Sequence, residues 1–407
     1  MTMWRVPYPK FGSVPALPRV ARLAELLGID LASFGAEGAV VVGSNGKGSA
    51  AAMTAALLEQ TGAGVGLFTS PHLWRLNERF RMNGCDVEDA ELELHWRRVR
   101  DVAGAYMADQ NEQVGGFEFL FLIAADWFAA RRARYTIWEA GIGGRMDPVR
   151  LVAARRIGLA SIDLEHTTLL GNTLEEIACD KLDAAPPGAK AFIAASCAPQ
   201  LSAIEAHCAH RGVAAAFVEE ASLEGLSPPL PGAHQRSNAA LALALARDTA
   251  LLTRAQLSAG FSATRWPGRL EVLGREPLIV IDVCHTPRAA QAAREGFEAL
   301  HGGSPKTLVC GVSKGKDAPG VIAALAPSFD CILCTQASHS ATPAETVAKL
   351  AHEANPAARV ECWPALREAR RRALATGQGI FVAGGLFLAA EFRALHLGID
   401  PEGLSHL

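Results

Sequence analysis

The residues with the clearest chemical content form one short run, Gly43-Ser44-Asn45-Gly46-Lys47-Gly48-Ser49. It follows the apolar stretch Gly38-Ala39-Val40-Val41-Val42 and leads into an alanine-rich segment, 49–60, of helical character. Glycines let backbone N–H groups turn inward, a helix N-terminus adds a favourable dipole, and a lysine adds positive charge. These are the requirements of a phosphate-binding turn. The run is a shortened P-loop in which only Gly48 separates the lysine from the serine, and Asn45, Gly46, Lys47, Gly48 and Ser49 are its candidate phosphate contacts. Taken alone, it does not choose between an ATPase, a kinase and a ligase.

Apolar strand-like runs alternate with Ala- and Leu-rich helical stretches almost throughout, the pattern of parallel sheets covered by helices. Residues 137–140 and 158–162 read as further strands that end in polar residues, as a site at the carboxyl edge of a sheet requires. A single helical stretch is expected over 238–259, and a domain boundary near Arg265-Trp266-Pro267-Gly268-Arg269. Beyond it, strands at 278–283, 307–310, 329–334, near 359 and at 379–383 alternate with helices. The expectation is a P-loop domain over 1–268 with a mostly parallel sheet, and a smaller Rossmann-like, doubly wound domain over 269–407.

Composition narrows the function classes. The 407 residues are 50% hydrophobic and 20% charged, with a net charge of −3, so the basic excess of a nucleic-acid binder is missing. The apolar runs fall short of the ~20 residues that cross a bilayer, and residues 1–10 lack the apolar core of a signal peptide. A cytoplasmic protein without nucleic-acid or membrane partners is expected. The nine cysteines lack a disulfide-framework spacing and read as reduced thiols. Cys331 and Cys334 form a CxxC inside an apparent buried strand, with no second pair to complete a metal site.

Further motifs follow the phosphate loop in order. They are Thr69-Ser70-Pro71-His72 with Asn77-Glu78-Arg79, Phe117-Glu118-Phe119-Leu120, Glu139-Ala140-Gly141-Ile142-Gly143-Gly144-Arg145-Met146-Asp147, and Asp163-Leu164-Glu165-His166-Thr167. Then come Leu170-Gly171-Asn172-Thr173, Lys181, Gly232-Ala233-His234-Gln235-Arg236-Ser237-Asn238, Pro267-Gly268-Arg269-Leu270-Glu271, Asp282 with His285, and the segment 311–317. Over nearly the whole chain this series resembles the folylpolyglutamate synthase and dihydrofolate synthase family of the Mur ligase superfamily. The resemblance implies a two-domain Mur-ligase-like α/β fold and an ATP-dependent amide ligase. Ser70, Glu139 and His166 match its magnesium ligands; a hydroxyl and a carboxylate suit hard Mg²⁺. Lys47, Glu139, His166 and Lys181 match catalytic positions, and Lys181 the lysine that becomes carbamylated. Asn238, Arg269 and Asp282 match positions that hold ATP, while Arg79, Phe117, Glu118, Asp147 and His285 match the substrate side, Asp147 toward dihydropteroate and His285 toward glutamate. A monomer acting on small molecules is the family-like expectation.

The implied chemistry is phosphorylation of a carboxylate by ATP, then displacement of phosphate by the amine of an amino acid. Metal ions and Lys47 would offset charge on the transferring phosphoryl group. No protein nucleophile is needed, so Cys284 beside His285 is not assigned one. Departures from the family fall on the substrate side: Thr286 replaces an asparagine, Gly384-Gly385-Leu386 lacks a serine, and Gly115-Gly116 replace bulkier residues before Phe117. Pro148-Val149-Arg150 follow Asp147 in place of Ala-Thr-Asn, Ser338-His339-Ser340-Ala341 lacks an arginine, and Cys179-Asp180 precede Lys181. Three readings remain: a folate ligase, a paralogue that ligates an amino acid to another carboxylate, and a nucleotide-binding regulator without catalysis.

Overall fold

The structure is a computed structural model that describes residues 6–14, 16–303 and 305–401. The chain divides into two compact units. One comprises the chain up to Pro229 with Gln235–Arg265; the other comprises Leu230–His234 and the chain from Trp266 onward.

The first unit carries strands β1 (Gly38–Val42), β2 (Val65–Phe68), β3 (Phe80–Met82), β4 (Cys85–Asp86), β5 (Tyr135–Glu139), β6 (Arg156–Leu159), β7 (Lys190–Ala194) and β8 (Ala214–Val218). Its helices are α1 (Ala16–Leu26), α2 (Lys47–Glu59), α3 (Asp89–Gln110), α4 (Gly116–Ala130), α5 (Thr167–Leu170), α6 (Leu174–Leu182), α7 (Leu201–His210), α8 (His234–Thr249, all but its first residue in this unit) and α9 (Arg254–Ala263). The strands form an eight-stranded sheet in the order β4-β3-β2-β5-β1-β6-β7-β8. From β2 to β8 neighbouring strands pair in parallel; β3 and β4 are antiparallel additions. Central β1 and β5 are buried along their whole length, and β1 accordingly reads as an unbroken apolar run. Trp138 on β5 is fully buried among Phe34, Phe68, Phe121 and Phe128, with ring centroids 5.1–6.0 Å away.

The helix expected over 238–259 is two helices. α8 ends at Thr249, and Thr253 starts α9 with a capping box in which its hydroxyl accepts from the Gln256 N–H. Two exposed leucines, Leu251 and Leu252 in part, sit in the break between them.

The second unit carries β9 (Glu271–Arg275), β10 (Leu278–Ile281), α10 (Pro287–His301), β11 (Lys306–Cys310), α11 (Ala318–Leu325), β12 (Cys331–Gln336), α12 (Ala344–Ala354), β13 (Arg359–Ala365), α13 (Leu366–Leu374), β14 (Gly379–Ala383) and α14 (Leu386–His396). Its six-stranded sheet has the order β13-β12-β11-β14-β10-β9, parallel except for β9. Helices α10, α11 and α12 pack in succession on one face, and α13 packs with α14. The loops after β14 and after its neighbours β10 and β11 therefore leave toward opposite faces, the arrangement that opens a crevice at the strand ends. Strand β9 escapes the sequence reading because it is a partly exposed antiparallel edge strand without a buried run.

Candidate functional site

In the first unit the loop 43–46 follows β1, Ser70 follows β2, Glu139 ends β5 and His166 follows β6, so these residues stand after the carboxyl ends of the four central strands. Gly46 ends the loop after β1 in a left-handed conformation (φ +82°), and α2 begins at Lys47. A Cβ at Gly46 would lie 2.4 Å from Asn238 Oδ1, so the loop needs glycine both for its backbone and for the approach of α8. Asn238 Nδ2 donates to Gln235 Oε1 at 2.9 Å, and Gln235 Nε2 donates to Ser49 Oγ at 3.4 Å. Asn238, Gly46 and Ser49 are thus brought together, with Gln235 as the link between them.

The other side of the loop is braced by the end of β6. The Asn45 N–H donates to Ser161 Oγ at 2.8 Å, Ser161 Oγ donates to the Asn45 carbonyl at 2.9 Å, and the Asp163 N–H donates to Ser44 Oγ at 2.9 Å. Lys47 Nζ donates to the Gly43 carbonyl at 2.8 Å and to the Ser44 carbonyl at 3.3 Å, so the ammonium sits over its own loop. Ser161 went unassigned in the sequence; its only signal is a polar residue at a strand end.

Glu139, at the end of β5, is buried and accepts the Ser70 N–H at 2.9 Å, which joins two of the three expected metal positions. The third, His166, is exposed and caps the short α5 with φ +47°. Among the described residues no group of three or more His, Cys, Asp and Glu side chains is placed to hold a metal ion. A donor set of one carboxylate, one hydroxyl and one imidazole fits Mg²⁺ that keeps waters and phosphate oxygens as ligands, not a closed protein cage.

The glycine-rich loop after Glu139 is pinned from two directions. Asp147 accepts from the Gly141, Ile142 and Val149 N–H groups at 2.8, 3.1 and 3.0 Å. Burial pushes the Asp147 carboxyl up to about 6, although those donors and Lys47 pull it down. On the other side Asp180 accepts from the Gly144 N–H at 3.1 Å and pairs with Arg145 at 3.1 Å. A Cβ at Gly144 would lie 2.1 Å from the Lys181 carbonyl oxygen.

Lys181, in the last turn of α6, is 1% exposed, and its Nζ lies 2.8 Å from Glu165 Oε1. Burial and then the nearby Lys47 hold the Lys181 ammonium below its ordinary range, against the pull of Glu165. Burial pushes the Glu165 carboxyl up, but Lys181, Lys47 and hydrogen bonds to Lys181 and Ser44 outweigh it and leave it lowered. Glu165 is a second unassigned residue, visible in the sequence only as the neighbour of His166.

Arg79 is buried; its Nε donates to His72 Nδ1 at 2.9 Å. Burial lowers the Arg79 guanidinium to about 10 despite the stabilising charges of Glu139 and Glu78. Phe117 packs against Phe68, centroids 5.6 Å apart, and leaves no room for a side chain at Gly141. Glu118, expected on the substrate side, is paired within the protein. Its carboxylate receives Arg19 Nε at 3.0 Å and Nη2 at 2.8 Å, and it also accepts the Gly115 N–H at 3.2 Å at the start of α4.

The departure at Gly115-Gly116 has a steric cause. The Gly116 N–H donates to the Pro9 carbonyl at 2.7 Å, and a Cβ at Gly115 would lie 2.8 Å from the Gly12 nitrogen. A strap formed by residues 6–14 runs there, with Tyr8 edge-on to Phe119 at 4.8 Å and Arg19 Nη2 donating to the Ser13 carbonyl at 2.6 Å.

In the second unit Asp282 is buried after β10 and accepts from the Leu270 and Cys284 N–H groups at 2.9 and 2.8 Å. Burial raises its carboxyl, opposed by Arg269, and burial lowers the imidazole of His234, opposed by Asp282. Arg269 and Asp282 therefore share one neighbourhood, while Asn238 belongs to the first unit. His285 is half-buried, with Nδ1 3.3 Å from the Val283 carbonyl oxygen. Where the serine is missing, a Cβ at Gly385 would lie 3.2 Å from Ser313 Oγ, so a neighbouring hydroxyl already occupies that space.

A family model described as "Mur ligase, glutamate ligase domain" matches residues 268–385. The chain is 32% identical to a probable bifunctional folylpolyglutamate synthase/dihydropteroate synthase of Halobacterium salinarum, over 94% of this chain and 50% of that protein. It spans about half the length of this relative and of a similar one from Haloferax volcanii. It is 30% identical to the dihydrofolate synthase/folylpolyglutamate synthase of Bacillus subtilis, over 75% of this chain and 77% of that one. The Mycobacterium tuberculosis folylpolyglutamate synthase complexed with ADP and AMPPCP superposes with a TM-score of 0.86 at 28% identity, over 95% of this chain and 96% of that chain. A bifunctional folylpolyglutamate synthase/dihydrofolate synthase with Mn, AMPPNP and L-glutamate bound gives 0.81 at 27% identity, over 94% of both chains. The chain belongs to the folylpolyglutamate synthase and dihydrofolate synthase family of the Mur ligases.

Proposed function

We propose that this chain is an ATP-dependent amide ligase that joins L-glutamate to dihydropteroate, to a tetrahydrofolate, or to both, through an acyl phosphate. The observation that carries the reading is the phosphate loop. Its glycine turn opens α2, is braced by Ser161 and Asn238, and has Lys47, Glu139 and Lys181 at the ends of adjacent strands and on α6. Relatives complexed with ADP, AMPPCP, or Mn with AMPPNP support a nucleotide and a divalent cation here.

In this reading Asn45, Gly46, Lys47, Gly48 and Ser49 cradle the phosphates, and Ser70, Glu139 and His166 hold Mg²⁺. The metal would offset charge on the transferring phosphoryl group. Lys181 takes part as the free amine or as its carbamate; its burial favours the neutral amine, the form that reacts with CO₂. Asn238 of the first unit, and Arg269 and Asp282 of the second, are each assigned to ATP, Arg269 toward phosphate and Asp282 toward ribose or base, and His285 is assigned to glutamate. The domains proposed for these tasks are 1–268 and 269–407, in a cytoplasmic monomer that handles small molecules. Among the described residues no helix is long and apolar enough to cross a membrane.

A second reading, ligation of an amino acid to a non-folate carboxylate, is favoured by how two carboxylates expected on the substrate side are engaged within the protein. Glu118 is engaged by Arg19, and Asp147 by three backbone donors. Phosphate release from ATP with glutamate present, with dihydropteroate, tetrahydrofolate or no acceptor, separates the two, with products read by mass. A gain of one glutamate on dihydropteroate supports synthase activity, and gains on tetrahydrofolate add polyglutamylation. Silence with both acceptors from protein that binds nucleotide overturns the folate reading and leaves the second.

A further inference from the structure

The CxxC of Cys331 and Cys334 lies on β12, where residues three apart point to opposite faces of the sheet, so the two thiols do not meet. Another dithiol forms instead. In the parallel register, Cys310 on β11 pairs with Cys334 on β12, and Cys334 pairs with Cys362 on β13. The Sγ atoms of Cys310 and Cys334 are 3.9 Å apart. Because Cys362 is register-paired with Cys334, the two side chains share one face of the sheet; burial, then Glu345 and Cys334, hold the Cys362 thiol above its ordinary range, so only its deprotonated fraction reacts. Three thiols thus stand in a row across three adjacent strands. Register-paired strands lie about 4.8 Å apart, inside the Cα separation that a disulfide spans.

Exposure is graded along the row. Cys362 is exposed, whereas Cys334 and Cys310 are both 0% exposed. Hydrogen bonding to Cys334 and burial hold the Cys310 thiol well above its ordinary range. An oxidant in water meets only the outer thiol, and the inner pair is positioned to receive the oxidation.

We propose that Cys362, Cys334 and Cys310 form a thiol relay that carries oxidation by hydroperoxides from the surface into a reversible Cys310–Cys334 disulfide. The Cys362 thiolate attacks hydrogen peroxide; the O–O bond breaks, hydroxide leaves, and sulfenic acid forms. The Cys334 thiol displaces that hydroxyl as water, its proton leaving with it, and a Cys334–Cys362 disulfide forms. Cys310 then attacks Cys334 Sγ. Cys362 departs as thiolate and takes up the Cys310 proton, the exposed sulfur being the better leaving group. The sum is two thiols and one peroxide to one disulfide and two waters. The bridge ties β11 to β12 immediately before the loop 311–317, so oxidation fixes the root of that loop.

The test is peroxide treatment of the whole chain, quenching with N-ethylmaleimide and tryptic peptide mapping without reductant. Lysines between the cysteines, Lys314, Lys316 and Lys349, put the partners on separate peptides. A Cys310–Cys334 cross-link that dithiothreitol removes is expected, forming at least tenfold more slowly in Cys362→Ser. In Cys334→Ser, Cys362 should accumulate as sulfenic acid and give a dimedone adduct. Equal cross-linking rates in wild type and Cys362→Ser would overturn the relay, as would wild-type Cys362 that stops at sulfenic or sulfinic acid without any cross-link.

Discussion

Gly46 and Asn238 are in a contact that admits no side chain at residue 46: a Cβ there would lie 2.4 Å from the amide oxygen of Asn238, with the backbone at φ +82°. Gly46→Ala therefore combines a left-handed backbone strain of roughly 1–2 kcal/mol with displacement of a buried amide that is itself bonded to Gln235. The expected result is a loss of stability on that order and at least a tenfold weaker nucleotide Kd, measured by calorimetry. Adding Asn238→Ala should recover part of the stability and none of the nucleotide affinity. An unchanged Kd in Gly46→Ala would remove the loop from the nucleotide site.

Lys47→Ala and Glu139→Ala should each abolish ATP-dependent product formation in folded protein, with phosphate release falling by two orders of magnitude or more. The two differ in what survives. Lys47→Ala loses a phosphate contact, so nucleotide binding weakens with or without metal. Glu139→Ala should weaken binding mainly in the presence of Mg²⁺. Near-normal turnover in either variant refutes the site.

Asp147 gives a pH signature. Its folded carboxyl is raised to about 6 from an ordinary 3.8 by burial. The folded state therefore holds a proton that the unfolded state has released between those values. Stability linked to this group is complete below about pH 4 and is lost as the pH rises through about 6, a change on the order of 3 kcal/mol at 1.36 kcal/mol per pH unit. Denaturant titrations of wild type and Asp147→Asn from pH 4 to 7 should show wild type losing stability relative to the variant. A relative gain over that range would contradict the burial of an ionisable carboxyl there.

The Arg19–Glu118 pair separates a structural from a substrate role for Glu118. With side chains 1% and 8% exposed, it is a buried, bidentate pair. Arg19→Met leaves an unpaired buried carboxylate and should cost about 3–5 kcal/mol. Glu118→Gln should lower Tm yet leave the KM for the carboxylate substrate within twofold. A large KM change at unchanged Tm would return Glu118 to the substrate site.

What the sequence shows of all this follows the range of the interactions. The β1–loop–α2 unit is contiguous, so strand, glycines and lysine announce it together, and the strand–helix series beyond residue 278 is legible for the same reason. Ala214-Ala215-Ala216 gives no strand signal, since alanine is depleted in strands, yet β8 forms because β7 offers it a parallel register. Strands β3 and β4 are too short to show a period. Within the site, Lys181 and Glu139 are legible through their motifs. The brace of Asp180 on Gly144 and the pairing of Arg19 with Glu118, 99 residues apart, leave no local trace.

The strap of residues 6–14 and the Gly115-Gly116 pair occupy each other's volume. A bulkier residue at 115 would meet the Gly12 nitrogen, and one at 116 would approach Val6 and the Pro9 carbonyl. The two features constrain one another as a lock constrains its key: neither can change alone without expelling the other. A chimera that imports bulky residues at 115 and 116 would fold cleanly only if the amino-terminal strap is exchanged with them.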